Sequence, residues 1–193
     1  MQIIDQKGKR LYLTEDEREA FRKAALTADR PIRTFCETLL FTGCRISEAL
    51  ELTPQRVDFS AQTIIFRSLK KRGKTVFRAV PVPPDYLDTL NMVHGIREAQ
   101  QKTRKEHDQP IWNWSRSTAF RRTKEVMRAA DLAEGPHLTP KGLRHSYGVH
   151  AITTGVPLNM LQKWLGHAMM ETTAIYADAV GEEQQTIAAR MWT

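Results

Sequence analysis

Five residues in the stretch 138–180 carry polar side chains that are capable of chemistry. They are Lys141, Arg144, His145, His167 and Tyr176. Lysine and arginine bind anionic oxygens, histidine moves protons or donates hydrogen bonds, and a tyrosine hydroxyl can attack as a nucleophile. Lys141 and Arg144 are three residues apart, so a helix would place them on one face. A single histidine or tyrosine is more often structural, and the stretch could be a helical core or a helix-turn-helix. The order of several such groups, together with a second arginine far upstream, favours a chemical role.

A second arginine and a lysine-rich turn lie far upstream of this stretch. Gly43 permits a sharp turn, and Arg45 follows it at the predicted start of a helix. An arginine held there suits a two-pronged grip on a phosphate, and Glu48 could orient its guanidinium. A surface ion pair with Glu48 is the structural alternative. The basic run 70–74 lies between two β-branched segments and predicts a hairpin tip, although most such turns are simply solvated.

The order and spacing of these residues resemble the conserved boxes of the tyrosine recombinases, the phage integrase family. The resemblance is carried by the segments TGCRISEAL, LRHSYGVHAI and LGHAMMETTAIY, and it extends from about residue 12 to about residue 180. Each segment alone is weakly specific, but their common order is strongly specific. The resemblance implies a catalytic set made of Arg45, Lys70, Lys141, Arg144, His167 and Tyr176.

The resemblance also implies a role for each of these side chains. The two arginines would bind the non-bridging oxygens of the scissile phosphate, and Tyr176 would attack it to give a 3′-phosphotyrosine link and a free 5′-hydroxyl. Lys70 would protonate the leaving oxygen, with Lys71 as the second choice because the hairpin register cannot be read from sequence. His167 would bind the phosphate or orient Tyr176. Nearby positive charge favours the phenolate of a tyrosine, whose ordinary pKa is about 10.

Lys141 is the one departure from the family pattern. Most members have a histidine at this position, the first residue of a His-x-x-Arg motif. A protonated lysine is cationic and can only donate hydrogen bonds. It can therefore replace the electrostatic role of the histidine, but it acts as a base only if its pKa is lowered. The identity of one general acid or base is left open by this substitution.

Composition limits the partners and the cofactors. The net charge of +7 and a pI of about 9.6 make nucleic acid the first candidate partner, and a merely basic surface the alternative. Cys36 and Cys44 lack CxxC spacing and are predicted to be buried thiols. The carboxylates do not cluster as metal ligands would, and His137, His145 and His150 lack ligand spacing, so we predict them to be structural or DNA-facing. We expect no metal and no cofactor.

Nothing in the chain resembles a membrane span or a signal peptide. No stretch approaches the roughly 20 apolar residues that a membrane helix needs. Residues 1–13 lack the apolar core of a signal peptide. We therefore expect a cytoplasmic protein.

The apolar patterns predict an α+β fold, mainly α-helical with a small three-stranded antiparallel β-sheet. Helices are expected after Thr14, from Pro31 to Gly43, from Pro84 through Ile96, over 115–130, and in several short pieces after Pro140. A hairpin of strands near 63–66 and 75–80, with a short strand near 56–58, forms the sheet. We divide the chain into an N-terminal lead-in over 1–12, a catalytic domain over 13–180 and a C-terminal helix over 181–193.

The resemblance implies a site-specific DNA recombinase or integrase that acts as a homo-oligomer, with four protomers in the synapse. Its C-terminal tail would pack on a neighbouring subunit, or else fold back onto its own domain. Most members carry an additional N-terminal helical domain. The sequence is therefore either an excised catalytic domain or a member similar in length to the short fimbrial phase-variation recombinases. A topoisomerase of type IB is one alternative. A non-catalytic DNA-binding module with a helix-turn-helix over 153–167 is another, but it leaves Arg45 and Tyr176 unexplained.

Overall fold

The computed structural model confirms a mainly helical fold with one small sheet. It describes residues 2–71, 74–102, 108–177, 189, 191 and 192. For residues 69–71, 74 and 75 it describes the backbone but not the side chains. The first helices are α1 (Glu15–Thr27), α2 (Arg30–Thr42) and α3 (Ile46–Leu50). A 3-10 turn (Pro54–Arg56) leads into strands β1 (Val57–Asp58), β2 (Thr63–Lys71) and β3 (Lys74–Pro81). The later helices are α4 (Pro84–His94), α5 (Ile96–Gln101), α6 (Arg116–Ala129), α7 (Pro140–Thr153), α8 (Leu158–Leu165) and α9 (Glu171–Ala174).

Local sequence signals set the ends of the first two helices. Thr14 and Glu17 form a capping box, in which each side chain accepts from the other residue's backbone N–H, and α1 begins after Thr14 as predicted. Pro31 lies in the first turn of α2, where its missing N–H costs nothing. Gly43 ends α2 in the left-handed region with φ of 57°. The chain then turns sharply into α3, as predicted.

The three strands form an antiparallel sheet in the order β1-β2-β3. Ile64 pairs with Val80 and Phe66 pairs with Arg78, and these four side chains are buried. The register shifts between Ser68 and Lys71, near the end of the hairpin. Residues 72 and 73, in the middle of the predicted basic tip over 70–74, lie outside the described residues.

The helix predicted from Pro84 through Ile96 is two helices. Gly95 adopts φ of 60°, and its N–H bonds the carbonyl of Asn91, which ends α4 at His94. Ile96 then begins α5 and is fully buried. The apolar spacing continues across Gly95, so the pattern alone missed the break.

Among the described residues, two apolar clusters hold the domain together. The larger one joins α1, α2, α4, α6 and the inner face of the sheet, and it contains both cysteines as buried free thiols, as predicted. The smaller cluster joins α7, α8 and the start of the chain. Its buried members are Ile3, Tyr147, Val149, Ala151, Leu161, Leu165 and Tyr176.

Two further predictions concern the C-terminal helix and membrane-spanning helices. Of the C-terminal helix predicted over 181–193, the structure describes residues 189, 191 and 192 alone, so that helix stays a prediction. Within the described residues, no helix combines the length and the apolar character needed to cross a membrane.

Candidate active site

Arg45 stands at the turn between α2 and α3. Its backbone N–H donates to Glu48 Oε2 at 2.8 Å, and its Nη1 donates to Glu48 Oε1 at 2.9 Å. The predicted ion pair with Glu48 is therefore present. The side chain of Arg45 is nevertheless 43 % exposed. Glu48 orients the guanidinium, and the remaining donors of Arg45 are accessible to a ligand.

Arg144 lies on α7 and is buried. Its Nη1 donates to the carbonyl of Gly43 at 2.6 Å, and its Nη2 donates to the carbonyl of Leu165 at 2.7 Å. These carbonyls lie at the C-terminal ends of α2 and α8, where the helix dipole favours a cation. Burial, together with repulsion from Arg45, lowers the pKa of Arg144 to about 10. The group is still charged at neutral pH, and it fixes both helix ends in place.

One cavity brings three of the predicted side chains together. It has a volume of about 710 Å³, and its walls include Arg45, Lys141 and Arg144. Lys141 is exposed and lies one helical turn before Arg144, as the spacing predicts. Arg116 and Phe120 of α6 complete the opposite side. Four cationic side chains around one cavity make it suited to an anion.

Tyr176 is fully buried in the smaller apolar cluster. Its hydroxyl lies 3.3 Å from His145 Nδ1. Gly148 packs against its ring so closely that a Cβ there would lie 2.6 Å from two ring carbons. Burial raises the pKa of Tyr176 to about 12, although Arg144 and Arg45 act in the opposite direction. The predicted stabilisation of the phenolate by positive charge is present, but burial outweighs it.

His167 follows the glycine that ends α8. Its Nδ1 lies 3.0 Å from Thr173 Oγ1, and its ring stacks on that of Tyr176 at 6.3 Å with an angle of 12°. Burial lowers the pKa of His167 to about 3, and the charges of Arg144 and Arg45 add to this effect. The imidazole is therefore neutral. Its buried Nε2 has no hydrogen-bond partner among the described residues.

His145 is a member of the site that sequence reasoning did not assign. It is buried, so it faces no DNA in this state, and its contact with the Tyr176 hydroxyl is the feature that was missed. Burial lowers its pKa to about 4, with Lys141 and Arg144 contributing. His145 and Gly148 are three residues apart on α7 and share a face. That spacing was the sequence signal for this contact, because a glycine three residues after a histidine leaves space on the same helix face for an aromatic ring such as that of Tyr176.

The hairpin lysine is the member of the set whose position stays a prediction. The backbone of β2 runs through Lys70 and Lys71, but their side chains lie outside the described residues. Ser68, two residues earlier on β2, accepts from Arg78 Nη1 at 2.7 Å. Within the described part of the chain, no three His, Cys, Asp or Glu side chains group as metal ligands would.

Sequence comparisons agree on one family. The profile of the phage integrase family matches residues 11–183. The tyrosine recombinase XerC of Rhizobium meliloti is 36% identical over 151 residues, which is 72% of this chain and 43% of that protein. A tyrosine recombinase of Thermosipho africanus is 30% identical over 179 residues, or 90% of this chain and 59% of that protein. The chain thus spans about half the length of these relatives.

Solved structures with the same fold include two recombinases and a phage integrase domain. XerA recombinase has a TM-score of 0.76 at 24% identity, covering 93% of this chain and 64% of that one. XerH bound to its difH substrate in a pre-cleavage complex has 0.74 at 20%, covering 98% and 60%. The catalytic domain of bacteriophage HP1 integrase has 0.63 at 23%, covering 92% and 93%. These likenesses confirm the fold.

Proposed function

This chain belongs to the phage integrase family, the tyrosine recombinases, and on that premise we propose that it cleaves and rejoins DNA at a specific site. The reaction would pass through a 3′-phosphotyrosine intermediate. One observation carries the proposal: Arg45, Lys141 and Arg144 line a single cavity, and both arginines lie close enough to Tyr176 to favour its phenolate. A phosphate in the cavity would be surrounded by positive charge, and the same arginines act on the buried Tyr176.

The arginines and Lys141 would bind the scissile phosphate. Arg45 has donors left over after its bonds to Glu48, and Lys141 is exposed at the same cavity. Arg144 uses one N–H on each Nη for backbone carbonyls, which leaves three of its five donors. Charge that develops on the non-bridging oxygens is thereby stabilised by groups already in place. Because these side chains supply the positive charge, we include metal independence in the proposal.

Tyr176 must leave its buried position before it can attack. In the described state its hydroxyl is held against His145, and no phosphate can reach it. Moving the ring towards the cavity would remove the effect of burial on its pKa and leave the favourable effect of Arg45 and Arg144. Its oxygen would then bond to phosphorus, its proton would pass to a base or to solvent, and the bond to the 5′-oxygen would break. Lys70 would protonate that oxygen.

His167 and Lys141 have narrower roles in this scheme. The neutral His167 would orient the Tyr176 ring and, through its unpaired Nε2, hydrogen-bond the phosphate or the phenolic oxygen. Lys141 would act as a phosphate ligand in place of the usual histidine. Strand exchange would follow cleavage and would need further protomers on duplex DNA. By family analogy, the synapse would contain a tetramer. The division into residues 1–12, 13–180 and 181–193, and a cytoplasmic location, belong to the same proposal.

The proposal is tested by capturing the covalent intermediate. The protein is incubated with a pool of duplexes that carry a randomised site and a nick, so that the cut fragment diffuses away and the adduct cannot reverse. Protein-linked DNA is recovered under denaturing conditions and sequenced. We expect an adduct from the parent protein and none from Tyr176→Phe. Tyr147→Phe, in the same apolar cluster, is the matched control and should still form the adduct.

Other outcomes would favour the alternatives. Salt-dependent DNA binding without any adduct would leave a non-catalytic binding module. Relaxation of supercoiled DNA that carries no captured site would favour a topoisomerase. An adduct that persists in Tyr176→Phe would assign the nucleophile to a different residue.

A further inference from the structure

Arg78 on β3 is a buried arginine that the scheme above does not use. It is 5% exposed. Its Nη2 donates to Glu48 Oε2 at 2.7 Å and its Nη1 lies 3.2 Å from Glu48 Oε1. Nη1 also donates to Ser68 Oγ, and Nε donates to the carbonyl of Trp164 at 2.7 Å. Four of its five N–H donors are therefore used inside the protein.

Each partner of Arg78 belongs to a segment that carries a proposed catalytic residue. Glu48 also accepts two bonds from Arg45, so its carboxylate is shared between the two arginines. Burial alone would raise the pKa of Glu48, but the hydrogen bonds and charge of Arg78 hold it below its usual value. Glu48 is thus kept ionised, in the form that orients Arg45.

The other two contacts lead to the hairpin and to the end of α8. Ser68 precedes Lys70 by two residues on β2. Trp164 precedes His167 by three residues, and Gly166 lies directly on Arg78: a Cβ at Gly166 would be 3.0 Å from Arg78 Cδ and from Ser68 Oγ. A larger residue at position 166 would push apart the contacts that Arg78 makes.

We propose, resting on the recombinase function above, that Arg78 is a positioning residue that holds the segments of Arg45, Lys70 and His167 in one fixed arrangement. Its burial excludes a contact with DNA in this state. It acts instead through its partners: through Glu48 on Arg45, through Ser68 on the strand of Lys70, and through Trp164 and Gly166 on His167. A buried ion pair that only stabilises the fold is the competing explanation.

Ser68→Ala separates these explanations because it removes one bond of Arg78 and leaves the Glu48 pair intact. We expect a protein that folds normally and binds its captured site with unchanged Kd and unchanged salt dependence. Its single-turnover cleavage should be roughly tenfold to a hundredfold slower, as for a misplaced catalytic group. A direct phosphate contact would instead weaken binding and reduce the salt slope by about one.

A substrate with sulfur in place of the bridging 5′-oxygen provides a second measurement. Its cleavage rate reports on the general acid and is not restored by a change in folding stability. A thiolate leaves without help from a general acid. If Ser68 and Arg78 hold the strand of Lys70, the sulfur substrate should restore cleavage by Ser68→Ala and by Lys70→Ala alike. Arg78→Lys should be partly active with the oxygen substrate and Arg78→Met nearly inactive, because lysine keeps the charge but loses the fork.

Arg33→Met is the stability control. Arg33 on α2 pairs at 3.0 Å with Glu37, which is also buried, but this pair lies near the opposite end of α2 from Gly43. The Arg33→Met variant should unfold more easily than the parent protein. Under conditions where the variant is folded, it should cleave at the parental rate. The proposal is overturned if Ser68→Ala and the Arg78 variants, measured where they are fully folded, cleave both substrates at the parental rate. It is also overturned if their defect lies in DNA affinity. Failure of the recombinase function itself has a different signature, since the parent would then form no adduct.

Discussion

At the residue scale, the two histidines beside Tyr176 are neutral hydrogen-bonding groups. His145 and His167 are buried, have pKa values lowered to about 4 and about 3, and each has one nitrogen without a partner among the described residues. Unpaired buried nitrogens are costly unless a ligand or a second conformation uses them. Both nitrogens are therefore suited to a phosphate or to a Tyr176 hydroxyl that has moved.

These pKa shifts predict a loss of stability in mild acid. The unfolded histidines take up protons near pH 6.5, whereas the folded ones do not until about pH 4 and about pH 3. The unfolded state therefore binds more protons than the folded state in that window. The free energy of unfolding is highest above pH 6.5 and decreases as the pH drops below it. Each of the two histidines lowers the free energy of unfolding by at most about 1.4 kcal/mol for each pH unit of acidification in this window.

Urea unfolding at pH 7.5 and pH 5 measures this effect. His167→Asn should lose less stability between the two pH values than the parent does. His94, whose pKa burial also lowers to about 4, stays in both proteins, so the difference isolates His167. An equal loss in parent and variant would show that His167 titrates normally in the folded protein.

Lys141 yields a second prediction at this scale. Lys141→His should cleave within a few-fold of the parent, because either side chain can donate to a phosphate. Lys141→Gln keeps a donor but loses the charge, so its cleavage should be roughly tenfold to a hundredfold slower. Lys23→Gln, an exposed lysine on α1, is the control for charge alone. Equal single-turnover rates for Lys141→Gln and Lys23→Gln would remove Lys141 from the site.

At the element scale, the turn at Gly43 determines where both arginines lie. It places Arg45 at the start of α3, and its own carbonyl accepts from Arg144. The turn needs φ of 57°, and a Cβ on Gly43 would lie 2.5 Å from Tyr147 Cδ1. Gly43→Ala should therefore be destabilised by backbone strain and by a clash.

Gly8→Ala separates these two contributions. Gly8 has φ of 75° with open space around it, so alanine there introduces the strain alone, about 1–2 kcal/mol. Gly43→Ala should cost roughly 1–3 kcal/mol more because Tyr147 must move. Denaturant unfolding of both variants measures the difference. Equal losses would mean that Tyr147 yields freely, and Gly43 would then be required only for its backbone conformation.

Elements with strong local signals were predictable, and those set by packing were not. The capping box at Thr14, the glycine ends at Gly43 and Gly166, and the hairpin all follow from residues a few positions apart. The break at Gly95 was missed because apolar spacing continues across it. The burial of Tyr176 depends on α7, α8 and the chain start meeting in space, and the Glu48–Arg78 pair joins residues 30 positions apart. No local pattern encodes either contact.

At the scale of the whole molecule, the start of the chain packs into the apolar cluster that contains Tyr176, the proposed nucleophile. The described residues of the predicted lead-in over 1–12 have a structure of their own. Ile4 pairs with Arg10 in a small bridge, and this fold places Ile3 in the buried cluster that holds Tyr176. The exposure of Tyr176 is thereby coupled to the docking of a segment about 170 positions away in sequence.

This coupling predicts that releasing the lead-in exposes Tyr176. Ile3 is 6% exposed and Ile4 is 44% exposed, so neighbouring aspartate substitutions form a matched pair. A carboxylate at position 3 cannot be buried without cost, so Ile3→Asp should detach the segment, whereas Ile4→Asp should leave it docked. Nitration of tyrosines, mapped by mass spectrometry, should then rise at Tyr176 in Ile3→Asp alone. If Tyr176 stays protected when the lead-in is shown by proteolysis to be detached, then α7 and α8 bury Tyr176 without the lead-in, and its exposure must depend on a movement of α9 itself.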